Sequence, residues 1–166
     1  MCVLETLSHK LSVQCVGVQV GSGGRPEVTT SDFAAMMAGL PPGPVTLGYA
    51  KYVGDEQAAR RLYAMLHVLA SDWARREEWD VPKGSEQVGQ LARKVRDDLI
   101  ASRGMLSERE AAAWLQVSRR KWREVWQARY HRLLSVGQDW EGDLRRKLAR
   151  EYYARDPEAL AELDYV

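Results

Sequence analysis

From Asp55 onward the apolar residues recur at helical spacing, and that pattern admits little besides helices packed on helices. Ala59, Leu62, Tyr63, Leu66, Leu69, Ala70 and Trp73 form one stripe behind a capping Asp55. They predict a long helix ending near Trp79. Pro82 and Gly84 then break the pattern. Ser85 opens a second helix with Val88, Leu91, Ala92, Val95 and Leu99 on one face, and Gly104 is placed to end it. Two more helices are expected between 107 and 134, another from Asp143 to Ala154, and a short last one from Pro157. Upstream, Ser31 or Asp32 can cap a helix from Phe33 to Ala38, closed by Gly39 and Pro41-Pro42. Val45 to Val53 reads either as strand or as helix. The alternation of Val16, Val18 and Val20 allows one short N-terminal strand, followed by a Gly-rich stretch that reads as a linker. The fold expected is all-α. It divides into a flexible extension (1–27), a helical body (28–104), a DNA-binding region (105–150) and an acidic tail (151–166).

A length of 166 residues is enough to bury a core without staples. The two cysteines, Cys2 and Cys15, form no CxxC motif, so neither a disulfide framework nor a thiolate zinc site is expected. No apolar run approaches the roughly 20 residues that span a bilayer. No basic segment followed by an apolar one marks a secretory signal, so a cytoplasmic protein without membrane partners is the expectation.

The formal net charge of +1 argues at first against a nucleic-acid partner. Its distribution reverses that inference. Residues 1–102 carry 11 basic and 12 acidic side chains, net −1; residues 103–150 carry 12 and 6, net +6; residues 151–166 carry 1 and 5, net −4. Such asymmetry is a partner signal where total charge is not.

The basic block coincides with a helix-pair pattern. Ser107 and Glu110 have the spacing of a capping box. Ala111, Ala112 and Leu115 make a small, small, large inner face that lets another helix cross closely. Gln116-Val117 is a tight turn, and Ser118 is a good cap for the next helix. There Trp122, Val125, Trp126, Tyr130 and Leu133 recur at helical spacing. This is the pattern of a helix-turn-helix, whose second helix enters the DNA major groove. Ser118, Arg119, Arg120, Lys121, Arg123, Gln127 and Arg129 lie off the apolar stripe and are the candidate DNA-binding residues. Arg can bond guanine bidentately, Gln suits adenine, and the other cations can neutralise phosphates. One departure stands out: glycine is usual at the turn, and Gln116 occupies that place. Gln116 must accept a strained backbone or use a different turn.

Trp122 and Trp126, one turn apart, are expected to pack a core rather than stack on single strands. His9, His67 and His131 are scattered, and the adjacent pairs Asp97-Asp98 and Glu77-Glu78 diverge on a helix. No catalytic constellation, metal site or cofactor is therefore expected, nor an enzyme.

The segment EREAAAWLQVSRRKWREVWQARYHRLL, within 107–134, resembles the DNA-binding segment of phage and prophage regulators, especially the Q-type transcription antitermination factors. The stretch PPGPVTLGYAKYVGDEQAARRLYAML, from Pro41 to Leu66, is similar to the same group. Several Q-type factors carry a paired-cysteine zinc knuckle that this chain lacks, so no metal is carried over. The resemblance implies a protein that binds promoter-proximal duplex DNA through its helix-turn-helix. It would load onto paused RNA polymerase carrying a sigma factor and suppress termination at the RNA exit channel. Nascent RNA would then be a further partner, with Arg93, Lys94 and Arg96 as candidate RNA-facing residues. The alternative is a conventional helix-turn-helix phage repressor or activator.

Overall fold

A computed structural model describes residues 29–77, 79, 86–101 and 107–155, and every element among them is helical. The expected N-terminal strand and linker, the Ser85 and Gly104 helix ends, and the Pro157 helix lie outside the described residues. In order, the elements are α1 (Thr30–Met36), α2 (Pro42–Gly48), a π-helical turn (Tyr49–Val53), α3 (Glu56–Arg76), α4 (Glu86–Ala101) and α5 (Glu108–Trp114). Then come α6 (Arg119–Lys121), a second π-helical turn (Trp122–Trp126) and α7 (Gln127–Arg155). The last three run on without a break.

Local chemistry explains most boundaries. Thr29, not Ser31 or Asp32, caps α1; its hydroxyl accepts from the Asp32 amide while Asp32 reaches back to the Thr29 amide. Pro42 opens α2, where its missing N–H costs nothing. This resolves the ambiguous Val45–Val53 stretch as helix, and Gly54, at φ +75°, turns the chain out of it. Asp55 caps α3 as expected, accepting from the amides of Gln57 and Ala58 at 2.7 and 3.1 Å. That helix stops at Arg76, however. Trp79 lies beyond it and packs edge-on against Trp126 with ring centroids 6.1 Å apart.

The largest departure is at the C-terminus. Sequence periodicity suggests separate helices before 134 and after 143, but the chain is one continuous helix through both. Gly137 sits there without breaking it. A Cβ at that position would collide with the Leu99 side chain of α4, so glycine permits the close crossing that anchors the middle of α7. Gly43 does the same for α2: a Cβ there would lie 2.5 Å from the indole of Trp140.

One core runs through the molecule. It joins Leu62, Leu66 and Ala70 of α3, Leu91, Val95 and Leu99 of α4, Ala111 and Ala112 of α5, and Trp122, Trp126, Tyr130 and Leu133 beyond the turn. Among the described residues, the buried side chains from Ala111 to Leu133 belong to the same cluster as those of α3 and α4. A smaller cluster packs Phe33, Met36 and Met37 against Leu144 and Leu148 of α7. Burying each of these large side chains contributes about 1.5–3 kcal/mol. Among the described residues no helix is long and apolar enough to cross a membrane.

Candidate nucleic-acid interface

The α5–α6 unit is built by three local devices. The Ser107 hydroxyl accepts from the Glu110 amide, and the Glu110 carboxylate accepts from the Ser107 amide at 3.0 Å. The hydrogen bonds from Ser107 hold the Glu110 carboxyl below its usual range. At the far end of α5, the Gln116 amide donates to Ala113 O at 3.1 Å and the Val117 amide to Ala112 O at 3.0 Å. Those two bonds define a Schellman motif, whose left-handed position is normally glycine. Gln116 holds it at φ +54°, as the sole non-glycine with positive φ among the described residues. The strained alternative anticipated for the turn is the one adopted. Ser118 then caps α6, accepting from the Lys121 amide at 3.1 Å. Ala111 and Ala112 are buried, and Leu115 is fully so. Together they seat α5 against α6 and the π turn.

Ser118, Arg119, Arg120, Lys121 and Arg123 are all exposed and stand together on the first turns after Ser118. They divide by partner. Arg120 Nε donates to Glu124 at 2.8 Å, and Arg123 Nη2 donates across the turn to Glu108 at 3.2 Å. Arg119 and Lys121 have no side-chain hydrogen bond or ion pair among the described residues. Gln127 is half-buried, at the edge of this face.

Arg129 is a correction. It leaves the solvent face, with its guanidinium 4.1 Å from the Trp79 ring centroid and 5.0 Å from that of Trp126. It directly precedes buried Tyr130 and lies one turn after Trp126, so it borders the apolar stripe rather than opposing it. Trp79, from outside α3, supplies the second ring, a contact no spacing within the segment could reveal. Its neighbour Arg132 is held likewise, 4.1 Å from the Trp73 ring and ion-paired with Glu77. That hydrogen bond from Arg132 is the main reason the Glu77 carboxyl lies below its usual range.

Lys94 is a second correction. Only 3% exposed, it cannot face RNA. Its ammonium pairs with Asp98, which also accepts from the Tyr130 hydroxyl at 2.6 Å. Burial first, then the bond to Asp98, pushes the Tyr130 phenol far above its usual range. Arg93 is exposed and Arg96 half-buried, and both guanidinia lie about 6 Å from the Tyr63 ring. Sequence reasoning missed this buried Lys94–Asp98–Tyr130 network, which ties α4 to α7. The signal was present: Lys94 and Asp98 are four residues apart beside the Leu91, Val95 and Leu99 stripe.

His67 stacks on Tyr63 at 5.7 Å, a rim contact. No protein-family model, no curated protein and no solved structure matches this chain. The functional reading therefore rests on the geometry and on the sequence pattern.

Proposed function

We propose that this chain is a transcription regulator that binds duplex DNA, with α5, the Gln116 turn and the helix beginning at Arg119 acting as a helix-turn-helix. The observation that carries the reading is the clustering of Ser118, Arg119, Arg120, Lys121 and Arg123 on exposed, capped turns directly after a tight helix–helix junction. First-turn residues of a recognition helix are those that reach base edges, and cations flanking them clamp phosphates. In this reading Arg119 and Lys121 make the first phosphate contacts, and Arg120, Arg123 and Gln127 read or clamp deeper in the groove.

The specific form proposed is a Q-like antitermination factor. Its support is the resemblance carried by 41–66 and 107–134. Such a factor would bind near a promoter, join sigma-containing RNA polymerase and carry it past terminators. Arg93 and Arg96, beside Tyr63, are the residues left on the candidate surface for nascent RNA.

Two experiments test the two levels. In duplex titrations across salt, Arg119→Ala with Lys121→Ala should weaken binding and flatten the log–log salt slope by about 1.8, for two lost phosphate contacts. An unchanged slope removes the recognition-face assignment. Transcription in vitro then decides the mode, using a template with the chain's own promoter region and a downstream terminator. Read-through that needs the promoter-proximal DNA supports antitermination. Repression without read-through assigns the protein to conventional repressors or activators.

A further inference from the structure

The four cations of the candidate face are not equivalent in the free protein. Arg119 and Lys121 stand open, whereas Arg120 and Arg123 are each occupied by a carboxylate, Glu124 and Glu108. Glu110, between them in sequence, is committed to the Ser107 cap, so it does not compete. Both occupied pairs are well exposed: side-chain exposures are 85% and 55% for Arg120 and Glu124, and 64% and 46% for Arg123 and Glu108. Exposed pairs of this kind contribute about 0–1 kcal/mol to stability, so neither holds the fold together. Each carboxylate instead takes one guanidinium N–H, at Nε of Arg120 and at Nη2 of Arg123, from the set that a DNA phosphate or a guanine edge would use.

We propose that Glu108 and Glu124 are specificity-determining residues that stand in for DNA at Arg123 and Arg120. This rests on the duplex-binding reading and deepens it. A non-specific duplex offers only phosphates, screened by salt, and opening two pre-formed ion pairs offsets part of that gain. A matched site adds bidentate base contacts, worth about 1–3 kcal/mol each, and displaces the carboxylates. The open pair, Arg119 and Lys121, supports the first encounter; the occupied pair engages only on the right sequence. The carboxylates thus lower the affinity for every duplex, and at a given protein concentration unmatched sites then stay empty while a matched site still fills.

The test uses the full chain and a labelled mixed-sequence duplex of about 30 bp, titrated between about 50 and 200 mM salt. Glu108→Gln and Glu124→Gln should each tighten binding by up to about fivefold, the loss of one exposed ion pair. The double variant should also steepen the salt slope. Glu56→Gln is the charge control: Glu56 pairs loosely with Arg60 on α3, at 3.8 Å, and its removal should change affinity less than either. In selection from a random duplex pool at one fixed protein concentration, the double variant should retain more unmatched duplex than the parent protein. Unchanged affinity and slope in both Gln variants overturn the proposal, and so does an equal gain from Glu56→Gln, which would mean a bulk charge effect. If the parent and every variant leave DNA unbound at the lowest salt, the duplex-binding reading itself has failed. Circular dichroism of each variant confirms that the fold is intact.

Discussion

Two ionic clusters, one on α5, α6 and the second π turn and one between α4 and α7, teach opposite lessons. Around Arg120 and Arg123, guanidinia meet carboxylates in water, where Coulomb attraction at about 4 Å is worth roughly 1 kcal/mol and salt screens it. Around Lys94, Asp98 and Tyr130 the same chemistry is buried beneath α7. There each group has given up hydration, and each depends on the others being present. Exposure, not residue type, makes the first cluster exchangeable with an outside anion and the second a structural tie. The tie also fixes the helix that carries the basic face, because Tyr130 is on α7 and packs beside Trp122 at 5.7 Å.

The largest expected effect would break this comparison if it did not appear. Asp98→Ala leaves a buried ammonium and a buried hydroxyl without their acceptor. It should cost about 3–5 kcal/mol in urea unfolding. Joint replacement of all three, Lys94→Met, Asp98→Leu and Tyr130→Phe, should recover most of that, because it removes both charges and the orphaned hydroxyl together. A loss for Asp98→Ala as small as that of an exposed pair would place this cluster with the surface ones.

Next in size is Gly137→Ala. The added methyl meets Leu99 across the α4–α7 crossing and should cost about 1–3 kcal/mol, read from the thermal midpoint. The same substitution at Gly142, where only the end of the flexible Arg146 side chain is near, should be tolerated.

Glu141 sharpens the comparison from an intermediate position. It accepts from Lys51 at 2.8 Å, from Tyr52 at 3.1 Å and from Arg145 at 2.6 Å. Burial raises its pKa, but the bonds from Lys51 and Arg145 together outweigh that and leave it lowered. A lowered folded pKa means that its stabilisation is complete above the unfolded value and drains away as pH falls through the folded one. Glu141→Gln should therefore cost about 1 kcal/mol near neutrality and nothing in strong acid. Parallel stability–pH curves for the two proteins would contradict this.

The smallest effect should be favourable. Gln116→Gly relieves a left-handed backbone and should stabilise the protein by up to about 1 kcal/mol, offset in part by glycine's larger unfolded-state entropy. A higher urea midpoint with an unchanged m-value is the expected result.

Much of this architecture was legible in the residues. The Asp55, Ser107 and Ser118 caps act at the positions read for them, because capping is a contest among atoms a few residues apart. The helical stripes of α3 and α4 were legible for the same reason. The errors cluster where a distant partner decides. Lys94 and Arg93 are adjacent and carry the same charge, yet Lys94 is buried against Tyr130 and Arg93 is exposed. Arg129 looked like its exposed neighbours until Trp79 arrived from beyond α3. The helices expected before 134 and from Asp143 run on as one, and Gly137 lets that helix cross closely over Leu99 of α4.

By itself, then, the sequence determined an all-α fold class, the caps at Asp55, Ser107 and Ser118, the tight turn at Gln116 and a basic segment from Arg119 to Arg123. Those follow from short-range hydrogen bonding and from one period of hydrophobicity. The tertiary structure alone decided which cations stay in water, which are sheathed by tryptophan, and which is buried against Asp98. Periodicity records that a face is covered but not by what, and the dielectric around a charge is set by that neighbour.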